Sequence, residues 1–234
     1  MGDLTSNHLF AEDAGPVQAW RRMRVKICGM RRVEDALAAV AAGADAVGCL
    51  VGLDYAAPDS IDPATARGIF AALPPFVARV LVTHRTGLAE VTALMRESGA
   101  TVAQLHGDFP TVAIPALREA LPYAAIVKSV HVTGDDTIAA ALAAARVADA
   151  VLLDTIARGR IGGTGKTHDW SISARITAAS PKPVILAGGL NPDNVAEAIA
   201  QVRPFAVDVN SGTRGDDGWK DHAKIRAFIA AARD

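Results

Sequence analysis

From Arg24 to the C-terminus, short apolar runs alternate with longer segments whose apolar residues recur every three or four positions. The first pattern reads as a buried strand and the second as an amphipathic helix. Strands are predicted at Arg24–Cys28, Ala46–Val51, Phe76–Val82, Thr101–Leu105, Ala125–Val130, Ala150–Asp154, Pro183–Ala187 and Phe205–Val209. Helices are predicted at Val33–Ala42, Asp62–Ala72, Leu88–Glu97, Val112–Leu121, Asp135–Ala145, Trp170–Ala179, Pro192–Gln201 and Trp219–Ala232. Asp62 is an expected N-cap with Pro63 in the first turn, and Gly43 and Gly99 are expected helix stops. Strict alternation predicts a parallel sheet covered by helices. Eight units in 234 residues fit a closed (β/α)8 TIM barrel, near the small end of that fold's range. A doubly wound open sheet is the alternative; two late Gly-rich turns favour the barrel, which often binds phosphate after strands seven and eight. Residues 1–22 read as a short N-terminal extension, and 23–234 as one barrel domain without a linker.

Composition narrows the class. The chain is 50% hydrophobic, which excludes a disordered protein, and only 5% aromatic, so its core is aliphatic. With 24 basic and 25 acidic residues the net charge is −1, which argues against a nucleic-acid partner. The two cysteines, Cys28 and Cys49, cannot make a disulfide framework, and no Cys/His cluster has zinc spacing, so no metal is expected. No apolar run reaches the ~18 residues of a membrane span, and no signal peptide is visible. A cytoplasmic protein with no membrane partner is expected.

In such a barrel the chemistry sits at the C-terminal ends of the strands. Cys28 ends strand one before a glycine; it is either a core cysteine or a thiol facing the mouth, where it could act as base or nucleophile. Lys26 shares its face by period two and could supply a nearby cation. Cys49 reads as packing. Asp154 ends an apolar run and either caps a turn or donates a proton, since a partly desolvated carboxyl can carry a raised pKa. Gly188-Gly189 and Ser211-Gly212 precede helices, where exposed N–H groups bind phosphate oxygens. His106 is either a hydrogen-bonded structural histidine or a pocket residue, and Asp208 reads as orienting the last loop.

These residues carry a resemblance. Lys26-Ile27-Cys28-Gly29, Gln104-Leu105-His106-Gly107, Leu153-Asp154-Thr155, Gly162 to Lys166 with Asp169-Trp170, Leu186 to Leu190 with Pro192 and Asn194, and Asp208-Val209 with Ser211-Gly212 and Lys220-Asp221 resemble phosphoribosylanthranilate isomerase of tryptophan biosynthesis, from about Arg24 to the C-terminus. The resemblance implies a cofactor-free Amadori rearrangement of a small phosphorylated sugar substrate. Asp154 would be the general acid and Cys28, as thiolate, the base. Lys26, His106, Gly163, Gly188, Gly189, Asp208, Asn210, Ser211 and Gly212 would bind substrate and phosphate, in a monomer or homodimer.

The chain also departs from that pattern. The family's Ser-Pro-Arg after strand two, whose Arg meets the anthranilate carboxylate, is replaced by Val51 to Ser60, which has no Arg and carries Asp54 and Asp59. His168 replaces the usual Phe, Asn210 the usual Ser, and Thr213-Arg214 the usual Val-Glu. Arg31, Arg32, Arg158, Arg160 and Arg214 are the residues that could substitute for the lost guanidinium. The alternative functions are a diverged isomerase or lyase acting on another phosphorylated sugar or amino sugar, and a non-catalytic barrel that binds a phosphometabolite.

Overall fold

The computed structural model describes residues 22–55, 57–157, 160–161 and 167–234. The expected extension, residues 1–22, lies outside them apart from Arg22, as do Gly163 and Arg158.

Eight parallel strands close into a ring: β1 (Arg24–Ile27), β2 (Ala46–Leu50), β3 (Ala78–Thr83), β4 (Val102–Leu105), β5 (Ala125–Val132), β6 (Ala150–Ala157), β7 (Val184–Leu186) and β8 (Ala206–Val209). Each pairs with its neighbour in chain order, and β8 returns to β1 with Lys26 opposite Asp208. Helices cover the outside: α1 (Val33–Ala42), α2 (Pro63–Ala71), α3 (Leu88–Ser98), α4 (Ile114–Ala120), α5 (Thr137–Ala145), α6 (Trp170–Ala179), α7 (Val195–Val202) and α8 (His222–Ala231). The fold is the (β/α)8 TIM barrel, and the closed ring excludes the open sheet. Among the described residues no helix is long and apolar enough to cross a membrane.

Local chemistry sets the boundaries. Gly43 and Gly99 end α1 and α3 in the left-handed region, and Asp62 accepts from the Thr65 N–H at 2.9 Å. The segment expected as one helix from Val112 opens as a 3-10 turn, Thr111–Ala113, and turns α-helical only at Ile114. Pro115 is the reason: it has no N–H to give and is accommodated only in a first turn. The last helix starts at His222 rather than Trp219, because Asp221 accepts from the N–H groups of Ala223 and Lys224 and so caps it there. Beyond Asp154, β6 runs on to Ala157 and folds back through an antiparallel return at Arg160–Ile161.

Alternate residues along each strand separate two cores. Val25, Ile27, Val47, Cys49, Leu81, Leu105 and Val207 pack outward against helix residues such as Phe70, Met95, Leu117 and Phe228. Cys49 is fully buried there, as packing. The inward set fills the barrel with Ala46, Ala78, Val80, Val82, Val127, Leu152 and Ala187. Lys26, Cys28, Gln104, Ser129, Asp154 and Asp208 share this inward face, all buried, toward the C-terminal mouth.

Candidate active site

The β8–β1 side of the mouth is a network of charge. Lys26 Nζ donates to Asp208 Oδ2 at 2.7 Å, and both side chains are buried. Burial works to lower the Lys26 pKa, but the charge and hydrogen bond of Asp208 and the nearby Cys28 outweigh burial and raise it. The ammonium is therefore fixed. Cys28 responds the other way: burial pushes its thiol up to about 11, against the pull of Lys26 and Lys220. Alone, the thiol is protonated at neutral pH. Lys220, from the loop after β8, donates to Asn210 O at 2.7 Å, Asn210 Oδ1 at 3.0 Å and Thr213 Oγ1 at 3.2 Å. Burial brings its pKa down to about 8.

The β4–β6 side holds imidazoles and a carboxylate. Asp154 Oδ1 accepts the Thr155 N–H at 2.7 Å, and Asp154 Oδ2 lies 3.3 Å from His106 Nε2. Burial favours its neutral form, but the His106 hydrogen bond and charge and the Thr155 N–H prevail and lower its pKa. The raised pKa expected for this carboxyl is thus absent from the unliganded site. His106 Nδ1 is 3.0 Å from Ser129 Oγ. Its ring stacks on His84 with centroids 5.5 Å apart and meets His131 edge-on at 5.3 Å. His168 joins Thr155 Oγ1 (2.9 Å) to Ser173 Oγ (2.6 Å), bracing the residue whose N–H holds Asp154.

The two expected phosphate turns meet. Gly188 and Gly189 both take positive φ, and a Cβ at Gly188 would fall 2.3 Å from Thr155 Oγ1 and 2.9 Å from Asp154 Oδ1. A side chain there would fill the space beside the carboxylate. Ser211-Gly212 opens a 3-10 turn that lies against Leu190 O and Asn191. Asn194 ties the β7 turn by donating to Gly189 O at 3.1 Å and accepting from Asn191 N at 2.8 Å.

The arginines named above as substitutes are engaged elsewhere wherever their side chains are described. Arg214 and the Asn210 amide both donate to buried Asp59 Oδ2, at 2.8 and 2.6 Å, so the loop after β2 is tied to the loop after β8. Arg31 donates to Pro58 O and Gly218 O, with its guanidinium 4.0 Å from the Trp219 ring. Arg32 forms a two-pronged pair with Asp35. Arg158 and the Arg160 side chain lie outside the described residues.

The structure thus brings Lys26, Cys28 and Asp208 into one cluster, sets His106 on Asp154, and joins Gly188, Gly189, Asn210, Ser211 and Gly212 in one rim. His84 and His131 belong to the same mouth and were missed from the sequence, whereas Ser129 was read only as the end of strand five and Lys220 only as part of the resemblance. The polar alternation Gln104, His106 and Ser129, His131 was a readable signal of inward-facing positions.

Comparison with known proteins adds a second line of observation. Residues 25–231 match the model of the family described as N-(5'phosphoribosyl)anthranilate (PRA) isomerase. A Methanosarcina mazei protein named N-(5'-phosphoribosyl)anthranilate isomerase 2 is 43% identical over 214 residues, covering 91% of this chain and 95% of its own. The crystal structure of phosphoribosyl anthranilate isomerase from Thermotoga maritima superposes with a TM-score of 0.79 at 39% identity, covering 90% of this chain and 98% of that one. A phosphoribosyl anthranilate isomerase structure in complex with reduced 1-(o-carboxyphenylamino)-1-deoxyribulose 5-phosphate gives 0.74 at 37% identity, with coverages of 90% and 98%.

Proposed function

The chain belongs to the N-(5'-phosphoribosyl)anthranilate isomerase family, and from that premise we propose that Asp154 and Cys28 carry the two proton transfers of its reaction. That reaction is the isomerisation of N-(5'-phosphoribosyl)anthranilate in tryptophan biosynthesis, an aldose-to-ketose rearrangement within one molecule. Asp154 gives its proton to the ribose ring oxygen as the C1–O bond breaks, and the nitrogen lone pair forms an iminium. Cys28, as thiolate, takes the proton from C2, and the electron pair neutralises the iminium to an enolamine. Protonation at C1 and loss of the enol proton give 1-(2-carboxyphenylamino)-1-deoxyribulose 5-phosphate. No electrons leave the substrate. Residues 23–234 serve as the catalytic barrel.

One observation carries this reading: a thiol and a carboxylic acid group, both buried, end two inward faces of one mouth beside two touching glycine turns. Those turns take the phosphate through backbone N–H groups and the Ser211 hydroxyl. Lys26 and Asp208 hold Cys28 from below, and Lys220 lends it positive charge. The expected outcome with freshly generated phosphoribosylanthranilate is rapid loss of substrate fluorescence in the wild type. Cys28→Ala should lower kcat by about two to four orders of magnitude, while inorganic phosphate still binds. Equal rates in the two proteins would remove Cys28 from the mechanism.

A second reading keeps the chemistry and changes the aglycone. It is favoured by Asp59, which occupies Arg214 and puts a carboxylate in the loop after β2. A folded, phosphate-binding wild type that leaves phosphoribosylanthranilate untouched would select it.

A further inference from the structure

The proposed chemistry leaves Asp154 with a difficulty: a general acid must be held at a defined angle and supplied with a proton, yet its carboxylate is buried. The residues behind it form a chain that addresses the orientation. Asp154 Oδ2 faces His106 Nε2 at 3.3 Å; His106 Nδ1 faces Ser129 Oγ at 3.0 Å; Gln104 Nε2 lies 3.5 Å from both Ser129 Oγ and His106 Nδ1. A carboxylate only accepts, so His106 Nε2 must be the donor. In a neutral ring Nδ1 is then an acceptor, and the one hydroxyl within 3.0 Å of it is that of Ser129. Ser129 can turn its O–H to Nδ1 because the Gln104 amide donates to its oxygen. Ser129 and Gln104 are almost completely buried beside His106.

We infer that Ser129 is a positioning residue: its hydroxyl, supported by Gln104, fixes the His106 ring so that the Nε2 proton points at Asp154. This rests on the reading of Asp154 as the acid. His106 becomes the group that orients the carboxylate. The His106 ring is confined from two sides, by His84 stacked on one face and His131 at its edge. Among the described residues, the other charged or titratable groups facing this cluster are Asp54 beside His84, Asp108 from the loop after β4, Lys128 beside His131 and His168 beside Asp154.

The test uses Ser129→Ala and Ser129→Thr in the full-length protein. In Ser129→Ala the Nδ1–H tautomer becomes competitive, turning a ring lone pair toward the carboxylate. One lost hydrogen bond corresponds to a kcat lower by roughly three- to tenfold. KM should stay within about twofold, because no substrate contact is removed, and the acid limb of the kcat profile should move to higher pH. Ser129→Thr keeps the hydroxyl and should restore both. Imidazole nitrogen NMR of the unliganded protein should report the Nε2–H tautomer for His106 in the wild type and a shift toward Nδ1–H in Ser129→Ala. An unchanged tautomer and pH profile in Ser129→Ala would overturn the inference, as would a parallel loss of kcat and affinity that threonine fails to repair. The NMR readout does not need turnover. A tautomer shift in a protein inactive on phosphoribosylanthranilate would therefore support the positioning role while overturning the substrate assignment.

Discussion

The two sides of the barrel mouth are equally buried and resolve their burial in opposite ways. On the β8–β1 side the charges are paired by a direct ion pair, Lys26 with Asp208, and the neighbouring thiol keeps its proton. On the β4–β6 side no cation of fixed charge among the described residues touches the carboxylate; an imidazole and a backbone N–H hold Asp154 ionised. The two shifts therefore protonate the site the wrong way round for the proposed reaction, with the base carrying the proton and the acid lacking it. The pair holds one proton in both arrangements. What must change on binding is its location. The fixed side thus serves as the scaffold and the imidazole side as the adjustable part.

The largest effect expected from this contrast is on turnover. Asp154→Asn keeps the shape and the contact with Thr155 but cannot carry the acid proton, and should lower kcat by about two to four orders of magnitude with little change in melting temperature. Lys26→Met should do the reverse in kind. It strands Asp208, whose Oδ1 already lacks a partner among the described residues, and breaking a buried pair from one side costs about 3–5 kcal/mol. Denaturant unfolding should show that loss, and Lys26→Met combined with Asp208→Leu should recover much of it. If instead Asp154→Asn unfolds the protein and Lys26→Met leaves its stability intact, the assignment of scaffold and adjustable side is inverted.

The same contrast explains what could be read from the sequence. Strand ends and period-two faces are local, so Lys26, Cys28, Asp154 and Asp208 stand out from their own neighbourhoods. Level is not local. Whether His84, His106 and His131 lie at one height depends on the stagger of β3, β4 and β5, which no single segment encodes. Lys220 lies beyond β8, and only the 3-10 turn and an isolated bridge between Arg214 and Lys220 bring it back beneath Asn210. Arg214 was a reasonable candidate for a carboxylate clamp until the fold set it on Asp59, 155 residues away in sequence. The helix starts moved for smaller reasons: one proline at α4 and one capping aspartate at α8.

The smallest expected effect lies in the alkaline stability of the fixed side, where two shifts nearly cancel. Burial holds Lys220 at about 8 against 10.5 for a free lysine, so below pH 8 its charge is a penalty on the folded state. That penalty is relieved as pH rises from 8 to 10.5, because the unfolded chain then binds more protons. Burial raises Cys28 from 9.0 to about 11, so its contribution is fully present below 9.0 and is lost as pH rises to 11. At about 1.4 kcal/mol per unit, each amounts to roughly 3 kcal/mol, with opposite sign. The wild type should therefore gain about 1.4 kcal/mol between pH 8 and 9, where Lys220 acts alone, stay almost level from 9 to 10.5, and fall slightly toward 11. Cys28→Ser removes the titrating thiol, so its melting temperature should rise with pH over that range. Lys220→Met leaves the thiol and should give a fall. Parallel slopes in all three proteins would mean that neither group titrates in the folded state at these values, and that the β8–β1 side is more open to water than its geometry implies.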